Sequence, residues 1–340
     1  MSEFTLTNVD IIVQNYTIMS SLIRRLIFKL LVTFFDKPLP ALSAREIAMI
    51  DELRETFCGL QPVENRVASA SQKIWNDNAN LLCELMLRED PREFLRWDVI
   101  RKTMFVSNQL YIKRELNYLL HLSEWEKRWR EALVEVSTGH PLPYPLYPKS
   151  SGNLIHQAYH LAQFEEKTRI CIHVLNFVFE FGGGYGSMCR LFHNLGFRGK
   201  YVIFDLPAFS ALQRFYLKSL NIPLLSTTSF WEGNRGVLCI SDYGELKTLF
   251  SCKPLGKNLS MFVATWSLSE APIDLRMAIT SLIVEYGAFL IAYADAFGEV
   301  NNIEFFNKWQ EFFGNRVEWH SWEINHIPRN FYLVGKRLQV

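Results

Sequence analysis

The chain has 340 residues, a formal net charge of +1, 49% hydrophobic residues and 14% aromatic residues. This composition supports a packed core and excludes general disorder, and its scattered Lys and Arg argue against nucleic acid as a partner. The length suits two domains, or one large domain with an appendage.

The first apolar run, Ile18 to Phe35, carries Arg24, Arg25 and Lys29. These charges break both a signal-peptide core and a membrane span, so stable membrane insertion is not expected. Leu22, Ile23, Leu26, Ile27, Leu30, Leu31 and Phe34 follow helical spacing. The segment reads as a helix packed on the domain or on a second subunit, with peripheral membrane contact as the other reading. Helical stretches follow at Ala44–Thr56, Val67–Leu87 and Asp98–Leu120, continuing to Val136, with Pro62, Pro91 and Asn108 as interruptions. Four prolines between His140 and Pro148 then make a stiff connector that is neither helix nor central strand. The expected organisation is a helical region over 1–140, serving as dimer surface or substrate lid, and a second domain over 141–340. A homodimer is expected.

Beyond the connector, strands alternate with helices. Strands are predicted at Val174–Phe181, Tyr201–Phe204, either Ile222–Leu225 or Val237–Ile240, Met261–Thr265 and Ala288–Tyr293. A final pair covers Val317–Trp322 and Asn330–Gly335. Helices fall at Ser187–Leu195, Phe209–Leu220, Ile273–Tyr286 and Ile303–Phe313. Alternation of this kind predicts an α/β fold with a mainly parallel sheet. Glu323 to Arg329 is too short for a crossover, so the last two strands form an antiparallel hairpin. The six cysteines form no CxxC pair and read as reduced residues of a cytoplasmic protein.

The most informative stretch is Glu180-Phe181-Gly182-Gly183-Gly184-Tyr185-Gly186, between a strand and a helix. Glycines let the backbone approach a ligand, and the following helix offers unpaired N–H groups. Asp205 closes the next strand, about 20 residues on, at the interval where an acid meets a ribose hydroxyl pair. The pattern departs from the dinucleotide one, which would need glycine where Ser187 stands.

This E-x-G-x-G-x-G form resembles motif I of the class I S-adenosylmethionine (SAM) methyltransferases. With Cys189-Arg190-Leu191-Phe192, Phe204-Asp205-Leu206-Pro207, Phe209-Ser210-Ala211-Leu212-Gln213, Ala264-Thr265-Trp266-Ser267-Leu268-Ser269-Glu270 and Ile327-Pro328-Arg329-Asn330-Phe331-Tyr332-Leu333-Val334-Gly335, residues 150 to 337 are similar to the bacterial putative sugar O-methyltransferase family. The resemblance implies a Rossmann-like class I methyltransferase sheet with SAM as cofactor. Gly182, Gly184 and Gly186, with Tyr185 between them, would wrap the methionine portion of SAM. Glu180 would lie near its amine or sulfonium, Asp205 would accept from the ribose hydroxyls, and Leu206 would pack on adenine. Asp242 reads either as a partner of the adenine amino group or as the cap of a helix opening at Tyr243.

A sugar hydroxyl is a poor nucleophile, so a general base or a metal should assist. Glu270 follows the fourth strand and reads as that base, or as a helix-start acid before Pro272. His156 and His160 share a helix face, and His326 lies in the last turn. Each is a candidate catalytic residue, with an ordinary structural histidine as the other reading. Asp295 could bind a metal with Glu270 or cap a loop; with no dense carboxylate cluster, no metal is expected. The resulting expectation is a SAM-dependent O-methyltransferase acting on a hydroxyl of a sugar or sugar-linked metabolite. A natural-product or polyketide hydroxyl is the alternative acceptor. An NAD(P)-dependent oxidoreductase and an inactive SAM-fold scaffold are the rival classes.

Overall fold

Strands that are apolar along their whole length have nowhere to go but the inside of a sheet covered on both faces. Phe177–Phe181 (β3), Lys200–Phe204 (β4), Gly236–Ile240 (β5), Ser260–Thr265 (β6) and Ala288–Ala294 (β7) are of this kind, and β3 and β5 are buried at every position. The computed structural model describes residues 21–63, 69–104, 106, 109–251 and 259–338, with elements numbered here in chain order. Ile18 and Val67 as helix starts, Asn108 as an interruption and the thiol of Cys252 lie outside the described residues.

The five parallel strands join Val317–Glu323 (β10) and Asn330–Arg337 (β11) in one sheet of order β10-β11-β7-β6-β3-β4-β5. β11 runs antiparallel to β7, and β10 antiparallel to β11. The sheet is thus mainly parallel with an antiparallel terminal hairpin, the Rossmann-like arrangement expected from the sequence. Of the two runs considered for the third parallel strand, 237–240 pairs along β4, while Leu224 makes an isolated bridge to Val237. The order reverses between β3 and β6, so a crevice is expected above their C-terminal ends.

The chain divides into two compact units, one comprising 1–42 and 92–159, the other 43–91 and 160–340. The chain therefore passes between the units three times, after residues 42, 91 and 159. The physical reason lies in helices Ala44–Cys58 (α2) and Ala70–Arg88 (α3), each opened by a Ser capping box. Both pack on helix Pro207–Ser219 (α8) of the sheet unit. Arg45 donates to Asn221 at 2.6 Å, Lys218 pairs with Glu52, and the rings of Trp75 and Phe209 meet edge to face at 6.0 Å.

In the sheet unit, helices Thr227–Trp231 (α9), Tyr243–Ser251 (α10), Ser267–Glu270 (α11), Ile273–Ile283 (α12) and Asn302–Phe313 (α13) and the ribbon Ala296–Phe297 (β8) with Val300–Asn301 (β9) follow the strands. Phe179, Phe262, Phe289 and Ile291 interlock with Ile279, Phe306, Trp309 and Phe313 in a continuous core.

The other unit holds helices Ser21–Phe35 (α1), Asp98–Thr103 (α4) and Ile112–Leu120 (α5). The helix expected across Asp98–Leu120 is thus broken in two. The proline-rich connector is not merely a loop: Pro143–Tyr144 (β1) and Tyr147–Ser151 (β2) pair as a two-stranded ribbon, in which prolines are tolerated because no interior ladder is needed. Phe28 of α1 is buried against Tyr144, whereas Leu26, Leu30 and Phe34 are exposed. No helix among the described residues is long and apolar enough to cross a membrane. Helix Gly152–Thr168 (α6) begins in this unit and ends in the sheet unit, where helix Ser187–Asn194 (α7) follows β3.

Candidate active site

The turn between β3 and α7 is set by backbone that only glycine adopts without strain. Gly182, Gly184 and Gly186 have φ of 71°, 58° and 94°. A Cβ on Gly182 would collide with the Cβ of Ser267, at the start of α11, so the ends of β3 and β6 are in direct contact. The Ser267 hydroxyl donates to the carbonyl of Phe181 and fixes that approach. Tyr185 is buried and its ring packs on Tyr216 of α8 at 5.0 Å. Its side chain anchors the turn; only its backbone lies along the path expected for a cofactor.

Asp205 holds the turn from the neighbouring strand. Its Oδ2 accepts the N–H of Gly184 at 3.0 Å and Nε2 of Gln213 at 2.9 Å, and Oδ1 accepts the N–H of Leu206 at 2.8 Å. Leu206, the next residue, is the N-cap of α8, which has no side-chain cap. Asp205 keeps part of its surface open. Its carboxyl is nevertheless enclosed enough that burial pushes it up to about 7, against the three bonds that favour its charge. Gln213, fully buried, also donates to the carbonyl of Gly184 at 2.9 Å. Gln213 was not among the expected site residues. Its signal was its place two turns into the helix that begins after Asp205.

Glu180 lies beneath the turn rather than open at the strand end. It is 3% exposed, and Tyr201 donates to its Oε2 at 2.8 Å. Burial pushes its carboxyl up to about 8; the Tyr201 bond opposes this and the nearby Asp205 charge adds to it. The enclosure thus favours the protonated carboxyl over the charged one. Asp242 takes the capping role: its Oδ1 accepts the N–H of Glu245 at 2.7 Å at the start of α10.

At the end of β6 the backbone is strained. Trp266 sits at φ 65°, ψ −35°, a region costly for a side-chain-bearing residue. Its N–H reaches Ala292 and its indole reaches Asn330, both at 2.6 Å. Glu270 ends α11 rather than starting a helix. Burial pushes its carboxyl up to about 7, while a hydrogen bond from Trp75 and the Arg276 charge draw it down. Arg276 is itself buried, donating to the carbonyls of Ser269 and Ala271 and to Asn302, so the segment carrying Glu270 is clamped on both sides.

The histidines part company. His160, in the sheet unit, is buried, shares a hydrogen bond with the Tyr332 hydroxyl and lies 5.4 Å from the Trp266 ring. His156 belongs to the other unit, buried against both oxygens of Glu115 at 2.8 and 3.0 Å. His326 is half-buried in the β10–β11 turn. Asp295 accepts from Nε of Arg329 at 2.7 Å. Among the described residues, no group of three His, Cys, Asp or Glu is placed to hold a metal ion.

No protein-family model matches the chain, and no curated protein matches it. Among solved structures it is similar to precorrin-6Y C5,15-methyltransferase of Geobacter metallireducens, with 12% identity over 54% of this chain and 87% of that one and a TM-score of 0.34. It is similar to an rRNA methylase of Streptococcus thermophilus, with 15% identity over 54% and 96% and a TM-score of 0.36. The methyltransferase domain of bacterial CtHen1 gives 10% identity over 54% and 97% and a TM-score of 0.38.

Proposed function

We propose that the chain is a SAM-dependent O-methyltransferase acting on a hydroxyl of a sugar or sugar-linked metabolite. The observation that carries this reading is the lock between Gly184 and Asp205. A positive-φ glycine turn, bonded to the acid of the next strand, stands at the point where the strand order reverses. The residue types fit the cofactor. Asp205 offers carboxylate oxygens to a ribose, Glu180 can ionise towards a cation, and the start of α7 turns N–H groups to the turn.

SAM supplies an already activated methyl group, so the protein has mainly to align donor and acceptor. Glu270, clamped one strand away from the glycine turn and poised near neutrality, takes the proton from the acceptor hydroxyl. The sugar preference follows the family resemblance of the motifs around Asp205 and Trp266.

Calorimetric titration with SAM, S-adenosylhomocysteine, NAD and NADP tests the cofactor. Micromolar binding of the sulfur compounds alone is expected; binding of a nicotinamide cofactor would overturn the reading. Methyl transfer from labelled SAM to a panel of sugars and nucleotide-linked sugars, beside phenolic and polyketide hydroxyls, tests the acceptor. Labelling confined to the second group would replace the sugar assignment.

A further inference from the structure

An ionised carboxylate has about four lone-pair sites, two on each oxygen. At Asp205 most of them are already taken by the protein. Oδ2 accepts the N–H of Gly184 at 3.0 Å and Nε2 of Gln213 at 2.9 Å, and is full. Oδ1 accepts the N–H of Leu206 at 2.8 Å and keeps one site. The orientation of the Gln213 amide is forced. The end that meets Asp205 also meets the carbonyl of Gly184 at 2.9 Å, and two acceptors can be served only by the amide nitrogen. Both of its hydrogens are thereby used, while Oε1 is buried with no hydrogen-bond partner among the described residues. Stranding a buried acceptor costs stability, so this side chain is turned by Asp205 and Gly184 rather than by its own satisfaction.

We propose that Gln213 is a specificity-determining residue of the cofactor site: with Gly184 it fills Oδ2, so that Asp205 offers a single acceptor, on Oδ1, to one hydroxyl of the ribose rather than to both. This deepens the SAM reading and rests on it for the ligand. Gln213 has no exposed surface, whereas Asp205 keeps part of its surface open, so an incoming hydroxyl reaches the acid and not the amide. The three bonds that run from the Gly184 N–H to Oδ2, from Nε2 to Oδ2 and from Nε2 to the Gly184 carbonyl close a ring. Gln213 can yield Oδ2 only by turning Nε2 away, which would also strip the Gly184 carbonyl of its donor and loosen the glycine turn. A diol meeting an unbraced carboxylate could place one hydroxyl on each oxygen. Here the second hydroxyl is left to another partner.

The test uses the full-length protein and three probes, S-adenosylhomocysteine and its 2′-deoxy and 3′-deoxy forms. Calorimetry is run above the value of about 7 to which burial pushes Asp205, so that the carboxyl is ionised. One deoxy form should bind within about two-fold of the parent and the other about 10–100-fold more weakly, the worth of one hydrogen bond to a charged acceptor. Gln213→Leu opens Oδ2 to the second hydroxyl. In that variant the deoxy form that wild type tolerates should lose about three-fold or more against the parent. A merely structural Gln213 would weaken all three probes alike and leave their ratios unchanged. That result, or equal losses or no loss for both deoxy forms in the wild type, would overturn the proposal while SAM binding stands. If Gln213→Leu does not fold, the wild-type ratios decide alone. A wild-type protein that binds none of the three probes would sink the SAM reading, and the proposal with it.

Discussion

The backbone N–H of Gly184 donates to Oδ2 of Asp205 at 3.0 Å, so the glycine turn and the acid of the next strand form one unit before any ligand arrives. Removing the carboxylate should do two things at once. Asp205→Ala frees the N–H of Gly184 and Nε2 of Gln213, and it deletes the acceptor for a ribose. SAM affinity should fall by more than about ten-fold, since each charge-assisted hydrogen bond is worth about 1.5–3 kcal/mol. Asp205→Asn can keep one acceptor oxygen for Gly184 and should retain more of the fold than of the affinity. Calorimetry together with urea unfolding separates the two losses, and unchanged affinity in Asp205→Ala would remove the ribose assignment.

The same enclosure makes stability depend on pH. Glu180 and Asp205 are pushed up to about 8 and about 7 in the fold, from ordinary values of 4.5 and 3.8. A carboxyl raised in the folded state binds protons more tightly there than in the unfolded chain. Its contribution is fully present below the ordinary value and is lost as pH rises through the folded one. The melting temperature should therefore drift down between about pH 3.8 and 8 from this source, and Glu180→Gln should flatten the drift above about pH 4.5. A cationic ligand that prefers ionised Glu180 must expel its proton. SAM should bind more tightly as pH rises towards about 8, with proton release visible as a dependence of the binding heat on buffer ionisation enthalpy. A binding heat independent of buffer would contradict the placement of Glu180 near the ligand's positive charge.

Gly182 offers a test of the turn itself. At φ 71° a side chain is strained, and its Cβ would also strike Ser267. Gly233, at φ 93°, has open space around the same position. Gly233→Ala should cost about 1–2 kcal/mol from backbone strain alone, and Gly182→Ala more than that, with loss of SAM binding. Chemical unfolding of the two variants makes the comparison; equal costs would mean that the β3–β6 contact yields easily.

Much of this was legible in the residues, for identifiable reasons. Parallel strands buried on both faces leave uninterrupted apolar runs, so β3, β4, β6 and β7 stood out, and the short Glu323–Arg329 link forced a hairpin. The glycine turn was visible because positive φ selects glycine. What stayed hidden was tertiary. Whether Glu180 stands open or lies under the turn depends on Tyr201 reaching it from the adjacent strand. Gln213 looks like an ordinary helix residue; its place two turns into the helix after Asp205 is its one sequence signal, and that it braces Gly184 is decided by packing. The composition change near 140 hid the division between α3 and α4, because both segments are helical and differ only in what they pack against.

Arg276 is the buried cation that holds the end of β6. Its three partners are the carbonyls of Ser269 and Ala271 and the Asn302 side chain, and Asn302 in turn donates to Ala294 at the end of β7 at 3.0 Å. Arg276→Met should leave these acceptors without a donor and destabilise the fold by about 2–4 kcal/mol, since each stranded buried group costs about 1–3 kcal/mol. A cost below about 1 kcal/mol in urea unfolding would mean that water replaces the guanidinium.

The last expectation concerns Glu270 as base. Its carboxyl, pushed up to about 7, must be ionised to accept a proton, so turnover should rise with pH through about 7 and level off above it. Glu270→Gln keeps the size of the side chain and lies outside the proposed cofactor contacts, so SAM affinity should hold. Turnover should fall by about 10²–10⁴-fold, the usual worth of a positioned base, and the limb near pH 7 should vanish with it. The readout is methyl transfer against pH for both proteins, with the acceptor identified in the labelling panel. Full activity in Glu270→Gln would free the carboxyl from the chemistry and move the proton acceptor to His160. That residue stands against Trp266, at the same end of β6.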